Sequence, residues 1–382
     1  MGDKSCAPDP IYILRGSTSP VSSLTFHPTT GQLWSGGLDG CVYCWNMVSR
    51  RSDSHQDSHH GHSVSWIKFL DNREIVTQGR DGFVHFWSIN ESQPTRTGSV
   101  SSNQQGFCAG CVLSTDRGHS VLAIPGREMS QVDIVDISTR KAVGHCVPKS
   151  GIKLGMCMAI TTSDSDSQLL IGYEDGSVAL WDIRTFCMVD KVSVFTDSVM
   201  CMDYNPQIKK GATGSVDERL VTFSLTSDNK IQTGREVKVT NPGFNQTAFR
   251  HDGKILASGG WDGNVRLFSG KSVKPLAVLS YHKESVQALA FSTDNLLACG
   301  SKDHHISLWN VYRWLRALNI DIEVKATVTI DLEVKDTVNI DLEVKATVTI
   351  DLEVKDTVTI DLEVKVTVTI DLEVKSTVTI DL

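Results

Sequence analysis

A short pattern returns along most of this chain, and its spacing constrains the fold more than any other feature. Each copy reads small residues, an Asp, often a Gly, and then an alternating strand that ends in Trp or Phe six residues after the Asp. Successive Asp residues lie 42, 94, 42, 45 and 41 residues apart. The interval of 94 residues is close to two periods, so a degenerate copy is expected between Asp81 and Asp175. The clear copies are Asp39–Trp45, Asp81–Trp87, Asp175–Trp181, Asp217–Phe223, Asp262–Phe268 and Asp303–Trp309.

This repeat predicts an all-β fold, a seven-bladed propeller of the WD-repeat kind. Repeats of about 40–45 residues that each build a four-stranded sheet are typical of such rings. Each copy supplies three strands, and the leading segment of the next copy supplies the outer strand. The third blade is the weakest prediction, because it lacks both an Asp-Gly turn and a closing Trp. The predicted blades cover residues 15–47, 54–90, 96–138, 141–184, 189–226, 236–270 and 276–312.

The closure of the ring completes the domain prediction. An open ring would leave an unpaired strand edge, and Ile11–Leu14 precedes the first blade without a blade of its own. We therefore expect this segment to be the outer strand of the seventh blade. The predicted domains are a disordered N-terminus at 1–10, the propeller at 11–316 and a low-complexity tail at 317–382.

The Asp–Trp pairs predict a buried structural network in each blade. In WD-repeat proteins, the turn Asp, a loop His, a Ser or Thr and the Trp form one hydrogen-bonded set. Cys299 and Ile171 replace the hydroxyl residue in blades seven and four, and a suitable His is expected in blade seven (His282) and in blade two (His60 or His62). Most sets should be incomplete, so no single blade should dominate stability. The expected hydroxyl residues are Ser35, Thr77, Thr213 and Ser258.

The C-terminal segment does not resemble the rest of the chain. From Ile320 to Leu382 it repeats ten residues close to IDLEVKATVT, with strict alternation of apolar and polar residues. At about 3.3 Å per residue, a single strand of this length would extend roughly 200 Å, which no compact domain contains. Turn residues are missing apart from Asn339, so a β-solenoid lacks its corners. We favour an artefact or variant end over a disordered, aggregation-prone extension, and both over a solenoid or functional tail.

Charge and composition argue against several classes of partner and location. The formal net charge is −8, but residues 319–382 carry 15 acidic residues and 6 Lys, so the propeller is near neutral. This argues against direct nucleic-acid binding and against binding to anionic membranes. No run approaches 18 apolar residues, and the first residues lack the apolar stretch of a signal peptide. Ten cysteines without such a signal indicate a reducing compartment. We expect a cytoplasmic protein that also enters the nucleus with a partner.

Two Cys-x-x-Cys pairs suggest a zinc site at first sight. They are Cys41 with Cys44, and Cys108 with Cys111. Residues three apart on a strand point to opposite faces, and blades one and three are not neighbours. We therefore interpret all four side chains as free thiols in the propeller.

A histidine-rich segment raises a second metal hypothesis. The segment SDSHQDSHHGH contains His55, His59, His60 and His62 in the loop that enters blade two. A polar loop with one structural His is the favoured interpretation, and metal binding is the alternative.

No G-x-S-x-G, H-E-x-x-H or Walker motif occurs, and the Gly-rich string GGWDGNVRLFSG precedes a strand rather than a helix. We therefore expect no enzyme activity, no cofactor and no bound metal.

The residues that directly precede each turn Asp are candidates for a partner-binding face, because these turns cluster on one face of a propeller. Trp and Arg are the types most enriched in binding hot spots, which favours Trp261 and Arg80. The irregular loop PGREMSQ of blade three adds Arg127. Packing of Trp261 against a neighbouring turn and simple solvation of Arg80 and Lys302 are the alternatives. The candidate face consists of Arg80, Glu174, Trp261, Lys302 and Arg127.

A four-residue string supports a different function. Trp181, Asp182 and Arg184 spell W-D-x-R, which in some WD-repeat proteins contacts the adaptor of cullin-type ubiquitin ligases. A solvent-facing Arg184 after an ordinary blade end is the simpler interpretation. A substrate receptor of such a ligase is therefore the alternative to a general scaffold.

Several strings resemble one family of WD-repeat proteins more closely than the repeat pattern requires. They are KLGMCM at Lys153–Met158, GYEDGSVALWDI at Gly172–Ile183, TNPG at Thr240–Gly243, GKILASGGWDGNVRLF at Gly253–Phe268, and the stretch Pro275–Tyr312. Together they resemble the family of guanine nucleotide-binding protein beta-subunit-like protein 1, whose fungal relatives are the ASTRA-associated protein 1 group. The resemblance runs from about Ile11 to Tyr312 and leaves the tail without a counterpart.

The resemblance implies a non-enzymatic scaffold linked to the co-chaperone machinery that matures phosphatidylinositol-3-kinase-related kinases. The partners it implies are the TTT complex, Hsp90-adaptor assemblies and the kinases. A rival is a G-protein beta subunit with a gamma partner, but a true beta subunit has a long N-terminal helix with heptads. Here about ten residues, including Pro8 and Pro10, precede the first strand. We therefore expect no gamma subunit.

Overall fold

The computed structural model describes residues 9–89, 94–102, 106–114, 120–165, 167–311, 367–372 and 376–381. The chain divides into two units, Met1–Tyr312 and Arg313–Leu382. In the first unit, strands β1 to β28 form seven four-stranded antiparallel sheets. This confirms the all-β, seven-bladed propeller. Most of the predicted disordered N-terminus lies outside the described residues.

Each of the first six blades runs from its inner to its outer strand in chain order. Blade one holds β2 (Val21–Phe26), β3 (Leu33–Gly37), β4 (Cys41–Asn46) and β5 (Arg51–Asp57); blade two holds β6 (Val64–Phe69), β7 (Glu74–Gly79), β8 (Phe83–Ile89) and β9 (Pro94–Ser101). Blade three holds β10 (Cys111–Ser114), β11 (Ser120–Pro125), β12 (Val132–Asp136) and β13 (Lys141–Cys146); blade four holds β14 (Cys157–Thr162), β15 (Gln168–Tyr173), β16 (Ser177–Asp182) and β17 (Cys187–Ser193). Blade five holds β18 (Val199–Asn205), β19 (Lys210–Ser215), β20 (Arg219–Leu225) and β21 (Ile231–Lys238); blade six holds β22 (Phe244–Phe249), β23 (Ile255–Gly260), β24 (Asn264–Ser269) and β25 (Pro275–Ser280). Blade seven holds β26 (Val286–Phe291), β27 (Leu296–Ser301) and β28 (Ile306–Asn310), with β1 (Tyr12–Leu14) as its outer strand.

The burial of the strands explains where the core lies. Middle strands such as β15 and β16 bury nearly every residue, because both of their faces pack against neighbouring blades. Outer strands such as β21 expose most of their residues and carry charged side chains. The core therefore consists of seams between blades, one of which joins Val76, Val84 and Phe86 of blade two to Leu122 and Ile124 of blade three.

Glycines near the ends of the second strands let neighbouring blades approach closely. A Cβ atom on Gly36 would lie 2.6 Å from Val64 Cγ1 of blade two, and one on Gly300 would lie 2.5 Å from Val21 Cγ1 of blade one. Larger side chains at these positions would overpack the seam. The small residues of the repeat are therefore packing residues between blades. The same contact with the first residue of the next blade recurs at Gly172, Gly214 and Gly259.

Strand β1 closes the ring, as predicted for Ile11–Leu14. It pairs antiparallel with β28, with Tyr12 opposite Leu308 and Leu14 opposite Ile306. Leu14 is fully buried and packs in one cluster with Ile306 and Leu308. The first strands of blades seven and one are also in contact. Both hydrogen bonds and apolar packing therefore hold the two ends of the propeller together.

The degenerate third copy forms a complete blade. Strands β10 to β13 pair in sequence order, although the turn between β11 and β12 lacks an Asp-Gly pair. Pro94–Ser101 and Lys141–Cys146, which lead the predicted blades three and four, are the outer strands of blades two and three. The leading segment of a copy thus supplies the outer strand of the preceding blade, as expected.

The second unit contains one described hairpin. Strands β29 (Thr367–Leu372) and β30 (Ser376–Asp381) pair antiparallel, in keeping with the strict alternation of this repeat. The remainder of the tail lies outside the described residues, so its non-globular character stays a prediction. Among the described residues, no helix is long and apolar enough to cross a membrane.

Candidate protein-interaction face

The residues before the turn Asp occupy equivalent positions around the ring. We call the face that carries Leu38, Arg80, Glu174, Trp261 and Lys302 the turn face. In each of these five blades, the backbone N–H of that residue donates to a carbonyl oxygen of the loop entering the blade, at 2.9–3.2 Å. The backbone is thus fixed, while the side chains of all five residues are exposed. The structure therefore places four of the predicted partner-binding residues on one face.

The turn Asp fixes each of these turns through its side chain. In all six clear copies, Oδ1 accepts the N–H of the residue two positions later, at 2.9–3.2 Å. Gly follows the Asp in four copies because the backbone there has a positive φ, for example 84° at Gly40 and 79° at Gly263. The Asp-Gly pair in the sequence is therefore explained by the local backbone conformation of these four turns.

In blade two, a buried set of hydrogen bonds joins the entering loop, the turn and the third strand. His59 contacts Asp81 Oδ2 through Nδ1 at 3.0 Å and Thr77 Oγ1 through Nε2 at 2.8 Å. Trp87 Nε1 also donates to Thr77 Oγ1, at 2.9 Å. All four side-chain types expected of a WD-repeat network are present in this blade.

The histidine of this set lies earlier in the loop than the sequence suggested. His60 and His62 are exposed, and His60 has a positive φ of 50° because the loop turns there. The N–H groups of Ser58 and His59 donate to the carbonyl oxygen of Gly40, at 2.9 and 3.2 Å, and fix His59 against blade two. The prediction of His60 or His62 was therefore wrong.

Blade seven builds the same set with a different hydroxyl group. His282 Nδ1 lies 3.0 Å from Asp303 Oδ2, and its Nε2 lies 2.7 Å from Ser307 Oγ. Trp309 Nε1 donates to the same Oγ at 2.8 Å, because Cys299 stands where other blades have Ser or Thr. Burial opposes the charge of Asp303, but hydrogen bonds from His282 and from backbone N–H groups outweigh it and lower the pKa of this carboxyl to about 2.

Blades one and six lack the loop His, and there a polar residue of the entering loop and a residue of the third strand both donate to the turn Asp. The Tyr43 hydroxyl donates to Asp39 Oδ2 at 3.4 Å. In blade six, two N–H groups of Arg266 donate to the carboxylate of Asp262, at 3.1 and 2.6 Å. Both residues stand four positions after their Asp, as Ser307 does in blade seven. In blades one, six and seven, this position therefore supplies a group that the blade lacks.

Two blades leave one member of the set without a partner in the described part of the chain. In blade four, Ile171 occupies the hydroxyl position, and the buried Nε1 of Trp181 has no hydrogen-bond acceptor. In blade six, Phe268 replaces the Trp, and the buried hydroxyl of Ser258 has no partner. Polar stabilisation is therefore strongest in blades two and seven.

Three potential metal ligands also meet in blade two. The ligand atoms of His59, Asp81 and His85 lie within 4.8 Å of one another, with His85 Nε2 3.4 Å from Asp81 Oδ2. The two imidazole rings stack at 22° with centroids 4.6 Å apart. A cation in the plane of one ring would therefore lie outside the plane of the other, which is poor geometry for imidazole ligation. Burial lowers the pKa of both rings, to about 4 for His85, so both are neutral near pH 7.

The Cys-x-x-Cys pairs do not converge on one point. Cys41 packs in the cluster with blade seven, whereas Cys44 packs in the cluster with blade two, on opposite faces of β4. Cys108 lies instead beside Cys157 of blade four, with 3.6 Å between the sulfur atoms. Burial raises the pKa of Cys108 well above its ordinary value. These thiols therefore act as packing groups of the blade seams.

Sequence reasoning missed exposed apolar side chains beside Arg80 and Arg127. Phe107 is 69% exposed, Met129 is 68% exposed and Ile152 is 42% exposed, all in loops or turns around blade three. The Arg80 guanidinium carbon lies 4.6 Å from the centroid of the Phe107 ring. The available signal was the departure of blade three from the repeat, but the exposure of these side chains needed the fold.

Comparisons with known proteins agree with this architecture. The family described as "WD domain, G-beta repeat" matches residues 8–46, 239–269 and 273–310. The mouse guanine nucleotide-binding protein subunit beta-like protein 1 is 36% identical over 315 residues, which cover 80% of this chain and 97% of the mouse protein. The chain belongs to this beta-like protein 1 family.

Fungal proteins extend the family at lower identity. ASTRA-associated protein 1 of Schizosaccharomyces japonicus is 28% identical over 365 residues, covering 80% of this chain and 99% of the fungal protein. Its counterpart in Schizosaccharomyces pombe is 25% identical over 374 residues, with coverage of 80% and 99%. This member of the beta-like protein 1 family is therefore a WD-repeat protein-interaction scaffold with ASTRA-associated relatives.

Two strings that carry the family resemblance hold side chains of the turn face. Gly243, of TNPG, has a φ of 92°, and a Cβ there would lie 2.2 Å from the Trp261 ring. Trp261 Nε1 donates to Asn245 Oδ1 at 2.8 Å, yet 44% of this residue stays exposed. Gly155, of KLGMCM, lies in the same way against Glu174, because a Cβ on Gly155 would lie 2.7 Å from the Cβ of Glu174. The beta-like protein 1 strings thus position residues that face solvent.

The W-D-x-R string lies at the end of β16 that is farther from the turn Asp. Arg184 follows β16 on the face away from the turn Asp, and 64% of its side chain is exposed. Its Nη2 lies 3.1 Å from Asp182 Oδ2, and this hydrogen bond lowers the pKa of Asp182. Trp181 is buried in the seam between blades three and four. Arg184 is therefore the surface residue of the string.

Proposed function

We propose that this protein is a non-enzymatic scaffold that supports the maturation or stability of phosphatidylinositol-3-kinase-related kinases with the TTT co-chaperone complex. The proposed partners are TTT subunits, Hsp90-adaptor assemblies and the kinases, without a gamma subunit, nucleic acid or membrane. The proposed location is the cytoplasm, with entry into the nucleus on a partner. The fungal relatives' name, ASTRA-associated, supports membership of a complex, and the family resemblance supports the choice of complex.

The turn face is the observation that carries this proposal. The turns are held by backbone groups and the turn Asp, so the side chains before the Asp are exposed to a partner. Gly243 and Asn245 fix the Trp261 ring while 44% of the residue stays exposed. A fixed ring loses little conformational entropy on binding, and a half-exposed Trp is typical of an interface hot spot.

Co-purification from cells tests the proposal on the full chain. Tagged wild-type protein and the Trp261→Ala variant would be isolated, and the co-purifying proteins quantified by mass spectrometry. Val48→Ser is the matched control, because Val48 is 93% exposed in the turn between β4 and β5, on the face away from Trp261. We expect TTT subunits and kinases with the wild type and the control, and a several-fold loss with Trp261→Ala. Wild-type preparations without TTT subunits would refute the kinase role.

A substrate receptor of a cullin-type ligase is the second candidate, because Arg184 is exposed on the face away from the turn Asp. In the same experiment, Arg184→Ala separates the two functions. Cullin adaptors that co-purify with the wild type and are lost with Arg184→Ala would favour the receptor. Preparations that contain TTT subunits irrespective of Arg184 favour the co-chaperone scaffold.

A further inference from the structure

Blade three departs from the repeat where the turn face is most apolar. Residues 125–132 replace the Asp-Gly turn, and the N–H of Gly126 donates to the carbonyl oxygen of Gln131 at 2.8 Å. The carbonyl oxygen of Met129 accepts the N–H of Cys157 in blade four, also at 2.8 Å. The turn is therefore anchored within its own blade and to the next, while Met129 is 68% exposed. Departures from a local rule are expected at functional sites.

The loops on both sides extend this apolar surface. Phe107, in the loop that enters blade three, is 69% exposed. Val147 and Ile152, in the loop that enters blade four, are 47% and 42% exposed. Four of the eleven large exposed hydrophobic residues in the described chain thus lie in the loops that enter blades three and four and in the turn between β11 and β12. Single exposed apolar residues are ordinary, but such a concentration marks a binding site.

Cations border the apolar side chains. The guanidinium of Arg80 stacks on the Phe107 ring. Two exposed carboxylates, Glu128 and Glu174, lie in the same turns and partly offset this positive charge. Glu174 Oε2 already accepts the N–H of Met156 at 2.9 Å. The propeller as a whole is near neutral, so this positive excess is local. The exposed cations of these turns and loops are Arg80, Arg127, Lys149 and Lys153.

We propose that this surface binds an acidic peptide segment of a partner protein that carries an aromatic or aliphatic anchor. We call it the blade-three arc, defined by Arg80, Phe107, Arg127, Met129, Ile152 and Lys153. The inference rests on the proposed scaffold function and names the chemistry of one partner segment. The anchor packs on Phe107 and Met129, whose aromatic and thioether groups suit adaptable apolar contacts. Carboxylates of the peptide pair with Arg127, which can bind them through two N–H groups, and with Lys153.

An acidic peptide suits the arc better than a nucleic acid does. Binding to a phosphate backbone depends on many cations that each neutralise one phosphate. Here apolar side chains separate the cations, and an apolar anchor must cover them to remove their surface from water. A nucleic acid would use the charges and leave Met129 and Ile152 exposed.

Fluorescence anisotropy with the full chain tests the proposal directly. The probe is a fluorescein-labelled twelve-residue peptide of Asp and Glu with a Phe-Leu pair at its centre. One matched peptide replaces Phe-Leu with Ser-Ser, and another replaces every acid with Lys. A single-stranded DNA oligonucleotide is the nucleic-acid probe. We expect binding of the acidic anchored peptide, weaker at high salt, and at least tenfold weaker binding of the other three probes.

Paired substitutions place the binding on the arc. Phe107→Ser with Met129→Ser removes the apolar contacts, and Arg127→Glu with Lys153→Glu reverses two charges. Lys274→Glu is the matched control, because it reverses an exposed charge in the turn between β24 and β25, on the face away from the turn Asp. Both pairs should weaken binding of the anchored peptide at least tenfold, and the control should stay within twofold. All five positions are exposed, so equal melting temperatures are expected and would exclude loss of fold as the cause.

Several results would overturn the proposal. The first is no binding of the anchored peptide to the wild type. The second is equal or tighter binding of the Ser-Ser peptide or the DNA. The third is a loss of binding with Lys274→Glu as large as that with the paired substitutions. The scaffold function fails separately from the arc. Co-purification of TTT subunits with a protein that does not bind the peptide would refute the proposal for the arc alone. Peptide binding at the arc without TTT subunits in cell preparations would refute the kinase role and leave the arc standing.

Discussion

Ser307 is the residue whose loss should report most clearly on the buried polar network. Its Oγ accepts the N–H of Trp309 Nε1 at 2.8 Å and lies 2.7 Å from His282 Nε2. All three residues are buried, and β28, which carries Ser307, pairs with β1 to close the ring. Ser307→Ala removes one small group and leaves two buried polar atoms without a partner. We therefore expect a loss larger than that of an ordinary hydroxyl deletion.

The size of the loss follows from the two orphaned atoms. Leaving a buried polar group unsatisfied costs about 1–3 kcal/mol. His282 keeps its hydrogen bond to Asp303, so its ring can relax around that contact. We expect Ser307→Ala to lower the free energy of unfolding by about 2–4 kcal/mol. Ser280→Ala is the control, because its hydroxyl makes an exposed hydrogen bond to Asn264, and it should cost less than about 0.5 kcal/mol.

A second-site rescue separates lost hydrogen bonds from lost packing. Cys299 stands where Ser35 and Thr77 lie in blades one and two, and those hydroxyls accept from the Trp Nε1 at 2.8 and 2.9 Å. Cys299→Ser combined with Ser307→Ala should therefore restore at least half of the loss. Urea unfolding, followed by tryptophan fluorescence and circular dichroism, measures the free energies when the two transitions coincide.

Two results would refute this reasoning. A loss below about 0.5 kcal/mol for Ser307→Ala would mean that the two buried atoms find other partners, since surface changes have effects of that size. A full-sized loss that Cys299→Ser does not reduce would mean that packing, rather than the hydroxyl, stabilises this blade.

Three further predictions test other parts of the turn face. Exchange of His59 for Gln should lower the free energy of unfolding by about 1–3 kcal/mol, whereas His60→Gln should have an effect below about 0.5 kcal/mol; equal urea midpoints would contradict the assignment of His59. Gly243→Ala should displace the Trp261 ring, change its fluorescence and reduce recovery of TTT subunits several-fold, because a Cβ would lie 2.2 Å from the ring. The pKa of Asp303 is lowered from 3.8 to about 2, so its ionised form stabilises the fold above about pH 4, and this contribution is lost as the pH falls from about 4 to 2. The difference in stability between the wild type and Asp303→Asn should shrink in that window, and a constant difference down to pH 2 would contradict the sign.

The fold could be predicted because its determinants are local and repeated. The Asp-Gly turn needs one side-chain acceptor and one positive φ, both of which are visible in a few residues, as at Asp39 and Gly40. The hidden third copy followed from the interval between Asp81 and Asp175, although its own turn has no Asp. The closing strand followed from a segment that was left without a blade.

The details of the network could not be predicted, because they depend on contacts between distant segments. His59 is chosen over His60 by a loop that hydrogen-bonds to Gly40, in the preceding blade. Ser307 replaces the hydroxyl missing at Cys299 from the neighbouring strand, and the group that this strand supplies differs from blade to blade. The same limit applies to Phe107, whose exposure depends on the path of a loop between two blades.

The repeat explains why the side chains of the turn face can differ between blades, and so recognise a particular partner, without lowering the stability of the propeller. Where the turn Asp and the backbone N–H hold the turn, the preceding side chain is not needed to form it, and it varies from Leu38 to Arg80 to Trp261. Blade three lacks that turn Asp, and a carbonyl of the turn bonds to blade four instead, through Met129 and Cys157. If blade three had only lost the repeat pattern without gaining a function, polar residues would be expected on its solvent-exposed side. Large apolar side chains are exposed there instead, beside cations, which is the composition expected of a surface that binds a partner.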